Sequence, residues 1–251
     1  MENRQPTILE LAAARSTMLD VGGSQSPWLL LQSGPCDAAW NMALDEALLD
    51  AMPRLGKPVL RFYGWTQAAA SFGYFQKFAE VERATLLRPV VRRPTGGGIV
   101  PHDADWTYSL AFPTVHEWYS LRAEGSYRRI HEWLQTAFAR LDIPTELAPC
   151  CRKTAPGRCF VGYEKSDLLW QGTKVAGAAQ RRTRTGLLIQ GSVQPPPLSL
   201  AKIDWQQAVC DAAQDRLGAR WAESEPDTEL RERTEALAAE KYAAPTYTQR
   251  R

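Results

Sequence analysis

The run Arg92-Arg93-Pro94-Thr95-Gly96-Gly97-Gly98-Ile99-Val100-Pro101-His102-Asp103 restricts the fold more than any other stretch of this chain. A strand-like pair, Val90-Val91, runs straight into three consecutive glycines with two arginines at the junction. Glycine costs backbone entropy, so three in a row beside sheet structure need a reason. With no Cβ, their N–H groups can approach an anionic or carbonyl-bearing ligand. Guanidinium groups pair with phosphate and carboxylate, which fits the same idea. A hairpin turn with solvated arginines explains these residues equally well at the local level.

The flanking sequence supplies the elements that hold this loop. Trp28 to Leu31 reads as a first strand. Asp37 can N-cap a helix in which Trp40, Leu44, Ala47, Leu48 and Ala51 share one face, while Asn41 and Asp45 fall off it. Pro53 and Gly56 mark its end. Short strands at Val59 to Tyr63 and Ala69 to Phe72 surround a Gly64-Trp65 turn. Beyond the loop, Trp106, Tyr108, Leu110 and Phe112 alternate with Thr107, Ser109 and Ala111, the pattern of a half-buried strand. Ser126 can cap a second helix carrying Ile130, Trp133, Leu134, Ala137, Phe138 and Leu141. Asp167 to Trp170, Lys174 to Gln180 and Leu187 to Ser192 read as a meander of strands that Pro195-Pro196-Pro197 ends. Two helices follow, one from near Asp204 and one from about Pro226 to Lys241. Strands and helices do not alternate regularly, which predicts an α+β fold and not a doubly wound sheet.

A chain of 251 residues, 44% hydrophobic and 23% charged, makes one large globular domain with a full core. Residues 1–26 are expected to be a partly disordered lead-in, and residues 27–251 the folded domain. A formal charge of +2 gives no general attraction to polyanions, so nucleic-acid binding is not implied. No apolar run approaches membrane-spanning length, and the N-terminus does not read as a secretory signal. Five cysteines, an odd number, suit reduced thiols and a cytoplasmic setting.

Two further blocks flank the glycine loop. Asn41-Met42-Ala43-Leu44-Asp45-Glu46-Ala47-Leu48-Leu49 lies upstream. Gly172-Thr173-Lys174-Val175-Ala176-Gly177-Ala178-Ala179-Gln180-Arg181-Arg182, followed by Gly191-Ser192-Val193, lies downstream. These blocks, in this order, resemble the lipoate–protein ligase and octanoyltransferase family (biotin/lipoate A/B protein ligase domain), over about Trp28 to the C-terminal helices. The resemblance implies a mixed, mostly antiparallel sheet with packed helices over residues 27–251. Larger ligases of the family carry an extra C-terminal domain. This sequence stops soon after Lys241-Tyr242, which is expected to favour a transferase or a ligase with a separate accessory chain.

In the family, the lysine at the place of Lys174 contacts the acyl carbonyl and, in ligases, the activated phosphate. A cation there can stabilise charge developing on an acyl oxygen. Taken alone, Lys174 would be a solvated strand lysine, as most are. Arg158-Cys159-Phe160, fifteen residues upstream, looks like the cysteine placement of family octanoyltransferases that work through an acyl-cysteine. The ligases generally lack that cysteine. Taken alone, Cys159 would be a buried structural thiol. With the resemblance it is expected to be the nucleophile, activated as thiolate by a nearby cation. Arg92, Arg93, Gly96, Gly97, Gly98, His102, Gly177, Gln180 and Gly191 are expected to line the acyl and carrier pocket, with His102 orienting substrate or moving a proton. Cys150, Cys151 and Cys159 form no paired zinc spacing, and no metal is expected. His116 and His131 are read as structural or exposed.

The resemblance implies an octanoyl or lipoyl acyltransferase that needs no cofactor. Its donor would be acyl carrier protein and its acceptor a lysine of a lipoyl domain, as in 2-oxoacid dehydrogenase E2 or glycine cleavage H protein. Membrane and nucleic acid are not expected partners. The alternative is an ATP- and Mg-dependent lipoate ligase working through an acyl-adenylate, with Cys159 incidental. A non-catalytic carrier-binding module would be signalled by loss of Lys174, which is present. Nucleic-acid binding would rest only on the short cluster Arg181, Arg182 and Arg184. Those arginines suit an acidic carrier or lipoyl domain instead.

Overall fold

The structure, a computed structural model, describes residues 27–153 and 160–250. The expected lead-in at residues 1–26 lies outside them.

The chain opens with β1 (Trp28–Cys36), then the long helix α1 (Ala38–Leu55), β2 (Val59–Trp65) and β3 (Ala69–Phe72). A short helix α2 (Phe78–Ala84) precedes β4 (Val90–Arg92), the glycine loop, β5 (Val100–His102) and β6 (Trp106–Pro113). Helices α3 (Glu117–Ser120) and α4 (Ala123–Ala139) lead to β7 (Glu146–Leu147), β8 (Arg152–Lys153) and β9 (Gly162–Tyr163). The meander β10 (Leu168–Trp170), β11 (Thr173–Arg182) and β12 (Gly186–Val193) follows. Helix α5 (Lys202–Leu217), β13 (Trp221–Ser224) and α6 (Thr228–Leu237) come next. A π-helical turn, Ala238–Tyr242, leads to a last helical turn, α7 (Pro245–Thr248).

Eight strands form the main sheet in the order β13-β1-β2-β6-β12-β11-β10-β7. Only the β13–β1 and β1–β2 pairs are parallel; the others are antiparallel. A second sheet, β4-β3-β5, carries the glycine loop between β4 and β5. The α+β class is as the sequence predicts, and the mostly antiparallel sheet is as the resemblance implies.

The two faces of the sheet bury different chemistry. Trp106, Tyr108, Leu110 and Phe112 of β6 pack with α4 and α5 in the larger core, which holds Trp133, Phe138, Trp205 and Val209. Ala111 joins Leu31, Val59 and the α1 and α6 side chains in a second core. Helix α1 begins and ends as its sequence dictates. Asp37 accepts the Trp40 N–H at 2.8 Å, and Gly56 closes it in the left-handed region, φ 62°.

Three local expectations are corrected. Every residue of β6 is buried, including Thr107 and Ser109, because α4 and α5 pack on one face while α1 packs on the other. Gly64 and Trp65, read as a turn, extend β2, and the chain bends at the two residues that follow. Helix α4 starts at Ala123, not Ser126. The Ser126 hydroxyl instead donates to Gln180 Oε1 at 2.7 Å and accepts from Arg182 at 2.7 Å, which ties the helix to β11. Among the described residues, no helix is long and apolar enough to cross a membrane.

Candidate active site

A partly open cavity lies where the two sheets meet. Tyr63 of β2, Ser71 of β3, Val100 and His102 of β5, and Thr107 of β6 form one side. Lys174, Gly177, Ala178 and Ala179 of β11, with Gln190, Gly191 and Ser192 of β12, form the other. Met42, Arg93 and Phe160 complete the wall.

Lys174 is the second residue of β11, and its ammonium lies 2.6 Å from Asp167 Oδ2. Asp167 is fully buried and Lys174 is 9% exposed. The Asp167 carboxylate also accepts the Glu164 N–H at 2.6 Å and the Tyr127 hydroxyl. Burial and the same carboxylate hold the Tyr127 phenol well above its usual range, so it remains a donor. Gly177 makes room for this pair: a Cβ there would sit 2.6 Å from both Cε and Nζ of Lys174. The Phe160 ring lies 5.1 Å from the ammonium, within range of a cation–π contact. His131 is buried beneath Tyr127, and burial pushes its imidazole down to about 4. This agrees with its structural reading.

Arg93 organises the opposite wall. Its guanidinium donates to Gly96 O at 2.9 Å and Gly98 O at 2.8 Å, which folds the glycine loop around it. It also donates to Ser71 Oγ at 2.8 Å. Gly97 adopts φ 87°, and Gly73 packs so closely that a Cβ would collide with the Gly97 carbonyl. His102 lies behind Ser71, with Nε2 2.6 Å from Ser71 Oγ and Nδ1 2.9 Å from Asp105 Oδ2.

Beneath the cavity runs a buried polar spine. Asp45 accepts from Arg61 at 2.8 Å, Ser109 at 2.6 Å, Gln190 at 2.7 Å and Tyr63 at 3.1 Å. Gln190 in turn accepts from Thr95 of the glycine loop at 2.7 Å. Arg61 also donates to Asn41 Oδ1 at 2.7 Å. The upstream block therefore acts as a foundation that fixes the loop through Gln190.

The structure brings Lys174, Arg93, His102, Gly177 and Gly191 together on the cavity wall. It places Arg92 and Gln180 elsewhere. Arg92 is fully buried and donates to the carbonyls of Tyr74, Gln76, Tyr247 and Thr248, holding the C-terminal segment behind the glycine loop. Gln180 bonds Ser126, Arg182 and the Ala123 carbonyl at the start of α4. Gly96, Gly97 and Gly98 shape the wall through Arg93 and Gly73 and are not themselves among its lining residues. Cys159 lies outside the described residues; the next residue in sequence, Phe160, lines the cavity. Asp167, Ser71, Asp105 and Gln190 were not singled out from sequence. Asp167 had a readable signal, a carboxylate opening the β10–β11 hairpin that carries Lys174. Ser71 had none.

A profile of the lipoyl protein ligase A/B catalytic domain matches residues 37–194. The chain belongs to this family. Among curated members, Octanoyltransferase LipM of Geobacillus kaustophilus is 37% identical over 183 residues, covering 66% of this chain and 64% of the relative. Octanoyltransferase LipM of Bacillus subtilis is 35% identical over 181 residues, with the same coverage. The chain thus spans just under two thirds of these relatives' length. A crystal structure of lipoate-protein ligase A bound with ATP superposes at TM-score 0.74 and 18% identity, over 90% of this chain and 99% of that one. A bi-partite lipoate protein ligase from Thermoplasma acidophilum, studied with its E2 lipoyl domain, superposes at 0.67 and 18%, over 89% and 96%. These two establish the family fold.

Proposed function

We propose that the protein is an octanoyltransferase. It would take an octanoyl group from acyl carrier protein onto Cys159 and pass it to a lysine of a lipoyl domain. Lys174 is the observation that carries this reading. A buried cation, anchored by a buried carboxylate, faces a cavity that also contains the residue following Cys159. Such a cation can hold negative charge on an acyl oxygen in a site that excludes water.

The curated relatives at 35–37% identity are named octanoyltransferases, which supports the acyl group and the reaction type. The acyl group arrives already activated as a thioester, so the reading requires no cofactor. In the first step the Cys159 thiolate attacks the thioester carbonyl, the carrier thiolate leaves, and Lys174 faces the oxyanion. In the second, the acceptor amine displaces Cys159 and an amide forms. Acceptors of the 2-oxoacid dehydrogenase E2 or glycine cleavage H class meet this requirement.

The test supplies purified lipoyl domain with either octanoyl-acyl carrier protein alone or octanoate, ATP and Mg. Octanoylation of the domain from the carrier thioester without ATP is the expected result. Modification only in the ATP arm would instead make the protein a ligase.

A further inference from the structure

The second step needs a proton acceptor. When the amine nitrogen attacks the acyl-cysteine it retains a surplus proton, and unless that proton is removed the nitrogen can leave again. Four titratable side chains line the described cavity: Tyr63, Arg93, His102 and Lys174. Burial and the Asp45 carboxylate keep the Tyr63 phenol well above its usual range, so it holds its proton. A guanidinium is never a base in a protein, and Lys174 is committed to its ion pair with Asp167. His102 remains, and its surroundings orient it for the task.

Asp105 Oδ2 accepts from Thr107 Oγ1 at 3.0 Å and Ser192 Oγ at 2.7 Å, and lies 2.9 Å from His102 Nδ1. In a neutral imidazole the nitrogen that faces a carboxylate oxygen is the donor, so in that form Nδ1 carries the ring hydrogen and Nε2 keeps its lone pair. Nε2 then accepts from the Ser71 hydroxyl at 2.6 Å. Arg93 donates to the same Ser71 oxygen at 2.8 Å, so the hydroxyl hydrogen is aimed at the imidazole. Trp65 stacks on the ring at 3.9 Å between centroids and 18° between planes, which fixes its tilt. Carboxylate, imidazole and hydroxyl are thus aligned in the order used for acid–base relays. Ser71 lines the cavity, so its hydroxyl faces the space an acceptor amine would enter.

We propose that Ser71 and His102 form the proton relay for transfer of the acyl group to the acceptor lysine, with Asp105 as the positioning residue that sets the imidazole. The relay rests on the acyl-cysteine reading above. The amine enters neutral, having released one proton to solvent. Its lone pair forms the C–N bond; its surplus proton passes to Ser71 Oγ while the Ser71 proton moves to His102 Nε2. The C–S bond breaks, and the departing Cys159 thiolate takes the proton back, which leaves His102 neutral.

The experiment separates the half-reactions. Wild type, His102→Gln, Asp105→Asn and Ser71→Ala are each loaded from octanoyl-acyl carrier protein. The isolated acyl-enzyme is then chased with lipoyl domain or with hydroxylamine, a weakly basic amine that sheds its proton unaided. For His102→Gln, transfer to the lipoyl-domain lysine is expected to fall by roughly 10²- to 10⁴-fold, with hydroxylamine discharge slowed far less. Asp105→Asn and Ser71→Ala show the same split at smaller size and carry the comparison if the histidine variant does not load. Lysine transfer within about threefold of wild type, or equal losses toward both amines, overturns the relay, as does failure of all three variants to load. An absence of acyl-enzyme in the wild type sinks the acyl-cysteine reading itself, and the relay with it.

Discussion

Gly177→Ala tests how tightly the Lys174 ammonium is placed. The added Cβ would lie 2.6 Å from Lys174 Cε and Nζ and 3.2 Å from Asp167 Oδ1. Ordinary contact begins near 3.4 Å, and Asp167 is held by Tyr127 and the Glu164 amide. The lysine end is the part free to yield. It must move by roughly 1 Å, and a misplacement of that size costs about 100-fold in rate, or about 2.7 kcal/mol of transition-state stabilisation. The methyl sits at the cavity wall and not in the apolar core, so the thermal midpoint should fall by only a few degrees, roughly what 1 kcal/mol produces in a domain of this size. The assay is the rate of octanoyl loading under single-turnover conditions, beside a melting curve. Loading within about threefold of wild type would show that the observed Lys174 position is not the one the chemistry uses. A collapse of the melting curve would show that Gly177 serves the fold.

Further outcomes follow from the buried network. Arg61→Met leaves the Asp45 carboxylate buried without its cation, so stability should drop by about 3–5 kcal/mol, read as a lower urea midpoint at unchanged slope. Gly73→Ala drives a methyl into the Gly97 carbonyl and should reshape the glycine loop; acyl transfer is expected to fall with little change in far-UV circular dichroism. His131 is held down to about 4 by burial, below the ordinary histidine value of about 6.5. The unfolded chain therefore binds the extra proton first, and stability declines as pH falls from about 6.5 to about 4, by roughly 3 kcal/mol from this residue. Urea titrations across that range check it, and His131→Gln should remove most of that decline.

The strand at β6, though not its burial on both faces, and the caps of α1 were legible because they depend on neighbours in sequence. Asp37 needs only the Trp40 amide, and Gly56 needs only its own φ. What stayed hidden depends on pairing across the chain. Asp45 looked like a residue off the apolar face, yet its donors come from β2, β6 and β12. Arg92 and Arg93 read as equivalent, but Arg92 ends β4 and Arg93 opens the loop, and successive side chains of extended backbone point to opposite sides. Arg93 turned to the cavity, and Arg92 turned to carbonyls 155 and 156 residues away in sequence. Gln180 lies on the same strand as Lys174 but meets the first turn of α4 instead of the cavity. Ser71 and Asp105 gained meaning only when β3 paired with β5 and brought His102 between them.

The most direct test of the central claim is isolation of the acyl-enzyme. The protein is mixed with octanoyl-acyl carrier protein without ATP, its intact mass is recorded, and lipoyl domain is then added; Cys159→Ala is carried in parallel. The account predicts a hydroxylamine-labile octanoyl adduct on the wild type, absent from the variant, that disappears as the lipoyl domain gains the same mass. Equal octanoylation of the domain by Cys159→Ala, with no adduct on either protein, would contradict it.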